Sequence, residues 1–370
     1  MFDAIDRLSI EFTKHCNFNC SYCHQEHSIG VLGFEELKKR VNFINSLQNI
    51  NRNCLDITLT GGEVTTYPED LERYFYYLKD NIVSKAKKFT LMSNMSNVDI
   101  VIKLLDDGIL RKDRVGFSWD GAFNNQTRIN KYSNEYFLDQ IRKISETKYK
   151  DTVAFQVAIT RETLPNLSKT ISLLHDIGLT NLALYVINGL EYTDEDALVY
   201  DGQLKEISDL FIKSYIEDQN RLRLFSIHKC FRDYVVRGTF ELEDTTRCRK
   251  IGQALHFTMD GGIYPCIYFG DHGIMKIGSL SLGLDRAQMN KFTEEYYKTP
   301  ECISKCNLKH CLSCPAVNYF KRGSFSKRDL SHCKMYNVEK KWFEHVTMEL
   351  EPYITPLALR EYWGRIYEPA

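Results

Sequence analysis

Along the first half of the chain, apolar residues recur every second position in short runs and about every 3.6 positions in longer ones. Leu8, Ile10 and Phe12 alternate, as do Leu55, Ile57 and Leu59, then Val115, Phe117 and Trp119. Val153, Phe155, Val157 and Ile159 follow, and then Leu182, Leu184 and Val186. Alternation puts every second side chain on one face of an extended segment, so these runs predict strands, with Phe89 to Ser93 a sixth and less regular one. Between the first two, Phe34, Leu37, Val41, Ile44 and Leu47 fall on one helical face. Repeated strand and helix units predict a parallel sheet with right-handed crossovers: an α/β fold, a partial (β/α)6 TIM-like barrel. Function is then expected in the loops after the strand C-termini.

The pattern changes twice further on. From about Leu190 to Glu243 it is mainly helical and charged, which reads as a bridging segment that closes the barrel. Beyond it apolar periodicity thins, and seven of the twelve cysteines fall between Cys248 and Cys333, the mark of a metal-stapled module. Inside it, Leu255, Phe257 and Met259 alternate up to Asp260-Gly261, a dipeptide suited to a hairpin turn before a strand from Ile263 to Tyr268. The last 35 residues return to a helical pattern. The expected division is a barrel over 1–190, a bridge over 191–245, a small cysteine-rich domain over 246–335 and a helical segment over 336–370.

Composition narrows the class. With 43% apolar and 26% charged residues the chain is expected to fold, and its net charge of −1 provides no field for nucleic acid or an anionic membrane. The start, MFDAIDRLSIEF, lacks the basic and apolar regions of a signal peptide, and no apolar run reaches the roughly 18 residues of a bilayer-spanning helix. A cytoplasmic location follows. There, twelve cysteines are better explained by metal ligation or catalysis than by disulfides.

Cys16, Cys20 and Cys23 lie just after the first predicted strand. Three closely spaced thiolates can hold three irons of a cubane and leave the fourth open. A closed zinc site, with His15, His24 or His27 as fourth ligand, is the structural alternative. The spacing Cys-x3-Cys-x2-Cys, with Tyr22 before the third cysteine, resembles the defining motif of the radical S-adenosylmethionine (SAM) superfamily. Thr60-Gly61-Gly62-Glu63, after the second strand, resembles that family's segment for the SAM amino group. Glycines permit close backbone approach and a carboxylate complements an ammonium. Ser93 and Asn94 at the end of the third strand, and Ser118 and Asp120 at the end of the fourth, resemble segments that contact the SAM ribose and methionine; Arg128 resembles the residue that holds its carboxylate. This likeness covers about residues 6 to 190.

The later cysteines, Cys248 and Cys266, then Cys302-x3-Cys306-x4-Cys311-x2-Cys314, and finally Cys333, resemble the SPASM extension of radical SAM peptide and protein maturases. The run departs from that extension's commonest spacing of x2, x5, x3, but keeps its order. The resemblance implies three [4Fe-4S] clusters, one binding SAM and two auxiliary. Cys302, Cys306, Cys311 and Cys333 would serve the outer auxiliary cluster, and Cys248, Cys266 and Cys314 the inner one, with Cys230 as its eighth-cysteine ligand or as a hydrogen-donating thiol. Two zinc sites are the structural alternative. Cys54, at the start of a strand, reads as a buried structural thiol.

In such a family SAM is cleaved to a 5′-deoxyadenosyl radical that abstracts hydrogen from an unactivated carbon. The leading expectation is a maturase acting on a ribosomally made precursor peptide, giving a crosslink or other oxidative change, with a flavodoxin- or ferredoxin-type electron donor. The chain begins at the first strand, so leader recognition is expected from a separate protein or from the catalytic domain. The rivals are an anaerobic sulfatase-maturating enzyme, a peptide epimerase using Cys230 or Cys54 as hydrogen donor, and a zinc-stapled interaction protein. Against the first, Tyr264-Pro265-Cys266-Ile267 has isoleucine where those enzymes carry an aspartate.

Overall fold

The structure, a computed structural model, describes residues 4–217, 222–224, 252–296, 302, 313–328 and 330–353. Its principal strands are β1 (Arg7–Thr13), β2 (Cys54–Gly61), β3 (Ala86–Ser93), β4 (Leu110–Ser118), β5 (Ala154–Ile159), β6 (Asn181–Val186), β7 (Arg223–Leu224), β8 (Ala254–Phe257), β9 (Gly262–Tyr264), β10 (Gly278–Ser279) and β11 (Gly283–Leu284). The main helices are α1 (Phe34–Ser46), α2 (Pro68–Asn81), α3 (Val98–Asp106), α4 (Asn134–Ser145), α5 (Leu167–Asp176), α6 (Asp194–Glu217), α7 (Ile267–Asp271), α8 (Arg286–Tyr296), α9 (Pro315–Arg322) and α10 (Cys333–Leu350). All six strands expected from alternation form, each followed by the helix that its pattern requires.

The chain divides into two compact units. The first comprises 1–115, 248–302 and 314–328; the second comprises 116–247, 303–313 and 329–370. In the first unit the strands run β11-β10-β9-β8-β1-β2-β3-β4, with β1, β2 and β3 parallel. Leu8, Ile10, Phe12, Ile57, Leu59, Phe89 and Leu91 are buried along them. In the second unit the end of β4 pairs in parallel with β5, β5 with β6, and β6 with β7.

One pairing is not visible in local pattern. Strand β8 runs parallel to β1, matching Arg7 to Ala254 and Ile10 to Phe257, so the late hairpin extends the barrel sheet from its first strand. Ser9 Oγ meets His256 Nδ1 at 2.9 Å across this junction, and burial pulls the His256 imidazole down to about 4, keeping it neutral. Arg40 of α1, fully buried, donates to the carbonyls of Thr258 and Met259 at 2.6 and 2.9 Å and pairs with Glu36. Burying a guanidinium is tolerated because its two terminal nitrogens are met by carbonyls and a carboxylate, while Nε is buried without a partner among the described residues.

The hairpin differs from expectation at its far end. Strand β9 stops at Tyr264, and after Pro265 the chain turns into α7 instead of continuing to Tyr268. Proline has no N–H to give the ladder, so the pairing ends there.

Candidate functional site

The Cys16–Cys23 loop is fixed by two glycines. Gly62 N–H donates to Thr13 O at 2.9 Å and Glu63 N–H to His15 O at 2.8 Å. A Cβ on Gly62 would lie 2.2 Å from His15 O and 2.9 Å from Cys16 N, and one on Gly61, at φ +126°, would overlap Thr13 O. Only glycine lets the end of β2 lie this close to the loop.

Glu63 is the hub behind it. Buried completely, its Oε1 accepts from Thr65 N (3.0 Å) and Thr65 Oγ1 (2.6 Å), and its Oε2 from Asn94 N (2.6 Å). Burial pushes its carboxyl above the usual range, while these donors pull the other way. Asn94 Nδ2 in turn donates to Asn17 Oδ1 at 2.8 Å, tying the end of β3 to the cysteine loop. Thus Gly61, Gly62, Glu63 and Asn94 converge on the loop, Ser93 ends β3 and accepts from Met95 N, and the side chain of Glu63 binds protein donors as well as being the expected complement to an ammonium.

Within the loop, Cys16 and Cys20 are half-buried and Cys23 is exposed. Phe18 N–H points at Cys16 Sγ (3.5 Å), and Cys23 Sγ lies 3.9 Å from His27 Nε2. Burial pushes the Cys16 thiol up to about 12, so its thiolate calls for a bound cation. Three thiols in eight residues, one of them desolvated, are the donor type of an iron–sulfur cluster. Tyr22 lies half-buried between the second and third.

In the second unit, Ser118 ends β4, and beyond it Asp120 and Arg128 form a buried two-pronged pair at 3.0 and 3.2 Å. Asp120 also accepts from Thr127 Oγ1 and Ala158 N. Of the later cysteines, Cys266 caps α7, Cys314 caps α9, Cys333 opens α10 and Cys302 is half-buried. The phenol of Tyr268, raised chiefly by burial, feels both Cys314 and Cys266. Cys230, Cys248, Cys306 and Cys311 lie outside the described residues.

Several residues here were not singled out from sequence. Helix α7 docks on the cysteine loop: Asp271 Oδ2 is 3.0 Å from His24 Nε2, and Tyr268 stacks on His24 with ring centres 4.5 Å apart. Glu11, buried near the end of β1, accepts from Met259 N at 2.6 Å. An acid inside an otherwise apolar alternation was the available signal for Glu11.

The description "Radical SAM superfamily" matches residues 10–197. This chain belongs to the radical SAM superfamily. Membership makes it an enzyme family member and implies SAM and a [4Fe-4S] cluster. Among curated relatives, GTP 3′,8-cyclase of Helicobacter pylori is 24% identical over 72% of this chain and 82% of its own length. Among solved radical SAM structures, anSMEcpe with bound AdoMet, an anaerobic sulfatase-maturating enzyme, superposes with a TM-score of 0.73 over 95% of this chain and 97% of its own, at 18% identity. SuiB of Streptococcus suis bound to S-adenosylmethionine gives 0.59 over 88% and 77%, at 15% identity. These likenesses show the fold, the α/β partial barrel with its C-terminal extension. Among the described residues no helix is long and apolar enough to cross a membrane.

Proposed function

We propose that this chain is a SPASM-type maturase that takes a hydrogen atom from a residue of a ribosomally made peptide, leaving a crosslink or other oxidative modification. The observation that carries this reading is the docking of α7, which starts directly after Cys266, onto the loop of Cys16, Cys20 and Cys23 through Asp271 and His24. An auxiliary-cluster cysteine and the SAM-activating cysteines thereby border one region. Support also comes from solved neighbours that hold peptides: anSMEcpe with the Cp18Cys peptide and SuiB with its precursor peptide SuiA.

In this reading Cys16, Cys20 and Cys23 hold the cluster that, when bound, supplies the electron for SAM cleavage. Gly61 and Gly62 offer backbone to the methionine part of SAM, and Glu63, Ser93, Asn94, Ser118, Asp120 and Arg128 set its polar contacts. Cys266, Cys314 and Cys248, with Cys230, serve the inner auxiliary site, and Cys302, Cys306, Cys311 and Cys333 the outer one. A flavodoxin- or ferredoxin-type donor in the cytoplasm supplies electrons, and the leader is recognised by a separate protein or by the catalytic domain itself. The barrel over 1–190 and the cysteine-rich domain over 246–335 are the functional divisions. The test is incubation of the anaerobically reconstituted enzyme with SAM, a reductant and the precursor peptide encoded beside its gene. A SAM-dependent loss of two hydrogens from the peptide is expected; an unchanged peptide alongside SAM cleavage would overturn the reading.

A further inference from the structure

In the first unit Cys266 and Cys314 each stand at the N-terminal boundary of a helix, α7 and α9, and both helices contribute rings to one column that ends on the residue after Cys23. The column starts at His24, whose ring lies on that of Tyr268 with centres 4.5 Å apart and 28° between the planes. Tyr268 meets His272 at 4.7 Å, and His272 stacks at 4.5 Å on Phe320 of α9. At its other edge the Tyr268 phenol is within electrostatic reach of the Cys314 and Cys266 thiols. Asp271 locks the near end: its Oδ2 lies 3.0 Å from His24 Nε2 and takes the Gln25 Nε2 N–H at 3.4 Å. The Asp271 side chain is 5% exposed against 38% for His24, so the carboxylate is the fixed partner and the imidazole the one being held. Helix α7 is itself held from behind. Phe269 is fully buried and meets Phe292 and Phe325 edge-on. A Cβ on Gly270 would lie 2.4 Å from His256 Cδ2, so glycine lets α7 lie flush on β8. Cys23, by contrast, is the exposed one of the three loop cysteines, and the thiol with least protein around it gains most from a fixed neighbour.

We infer that this column is a clamp that couples the two metal sites: His24, gripped by Tyr268 and Asp271, fixes Cys23, and a complete Cys266–Cys314 site tightens the grip. His24, Tyr268 and Asp271 are then positioning residues for the loop. The inference rests on the auxiliary-cluster part of the reading above and adds its consequence for the SAM-activating site, namely that the loop cluster is held more firmly when the inner auxiliary site is filled. Groups that orient a metal ligand from behind are generally worth about 10- to 100-fold in affinity. The lower end applies here, because the clamp acts on the residue next to the ligand. Coupling of this kind is reciprocal, so the loop cluster steadies the inner site by the same factor.

The experiment needs no peptide. The anaerobically reconstituted full-length enzyme is reduced and its electron paramagnetic resonance spectrum recorded with and without SAM. The component that changes on adding SAM belongs to the loop cluster, and its decay under an iron chelator measures how firmly that iron is held. In Cys266→Ala/Cys314→Ala this component is expected to decay about tenfold faster than in wild type, with an altered line shape. His24→Ala is expected to do the same, and joining it to the two cysteine changes is expected to add nothing, because one coupling cannot be removed twice. Tyr268→Leu should fall with them, while Tyr268→Phe, which restores the ring, should return to within about twofold of wild type. Wild-type decay in the cysteine variant would overturn the inference, and so would effects that simply add. Tyr268→Leu removes no ligand, so an unchanged loop signal there would overturn it even if the cysteine variant fails to fold. A wild-type enzyme with only about four irons would strike the auxiliary-cluster reading, whereas a full complement of iron with equal decay in every variant would strike the clamp alone.

Discussion

Glu63 in the first unit and Glu339 in the second are both buried carboxylates, but they are held differently. Glu63 receives three donors from Thr65 and Asn94 and ties the ends of β2 and β3 behind the cysteine loop. Glu339, on α10, receives one, the Tyr200 hydroxyl of α6 at 2.9 Å, and burial lifts it to about 7. The same side chain thus serves as an anchor that needs an acceptor at both oxygens in one place, and in the other as a group in a helix interface that becomes charged only around neutral pH. What separates the two is the number of donors that the backbone supplies, and burial alone is a poor guide to role.

The largest effect is expected one residue before the anchor. Gly62→Ala forces a Cβ into His15 O and Cys16 N, so the loop must shift; iron retention after reconstitution should be lost, with stability down by about 4 kcal/mol in thermal or denaturant unfolding. Glu63→Gln comes next. Its amide NH2 must face either the Thr65 donors or the Asn94 N–H, leaving donor against donor, at a cost of about 3 kcal/mol. Unchanged stability in this variant would erase the contrast with Glu339.

The identical change at Glu339 should do the reverse. With a folded pKa near 7 against an ordinary 4.5, Glu339 binds its proton more tightly in the folded state. The unfolded chain releases that proton first, so stability falls as pH rises from about 4.5 to about 7 and stays lower above. Glu339→Gln keeps an acceptor for Tyr200 and cannot ionise, so it should be nearly neutral at pH 5 and stabilising by about 2 kcal/mol at pH 8. Melting temperatures of both proteins across this range test the sign. The smallest readout is chemical: Ile267, where sulfatase-maturating enzymes carry an aspartate, should leave a sulfatase peptide without detectable formylglycine.

The contrast also marks what the sequence made legible. Strands such as Val153 to Ile159 announce themselves because a period of two is a local property. Cys16, Cys20, Cys23, Gly61 and Gly62 stand out because their chemistry and spacing are rare together. The β8–β1 pairing joins residues some 247 positions apart, as Ser9 and His256 do, and nothing local encodes it. Glu11 and Asp271 line one small pocket only because that pairing and the turn after Pro265 bring them there.

The most direct test of the account is the iron and sulfide content of protein purified without oxygen, wild type against a triple alanine variant at Cys16, Cys20 and Cys23. The account predicts about twelve irons, falling to about eight in the variant. Four irons, all lost in the variant, would contradict the auxiliary-cluster reading of the later cysteines, and zinc without iron would contradict the cluster at the loop itself.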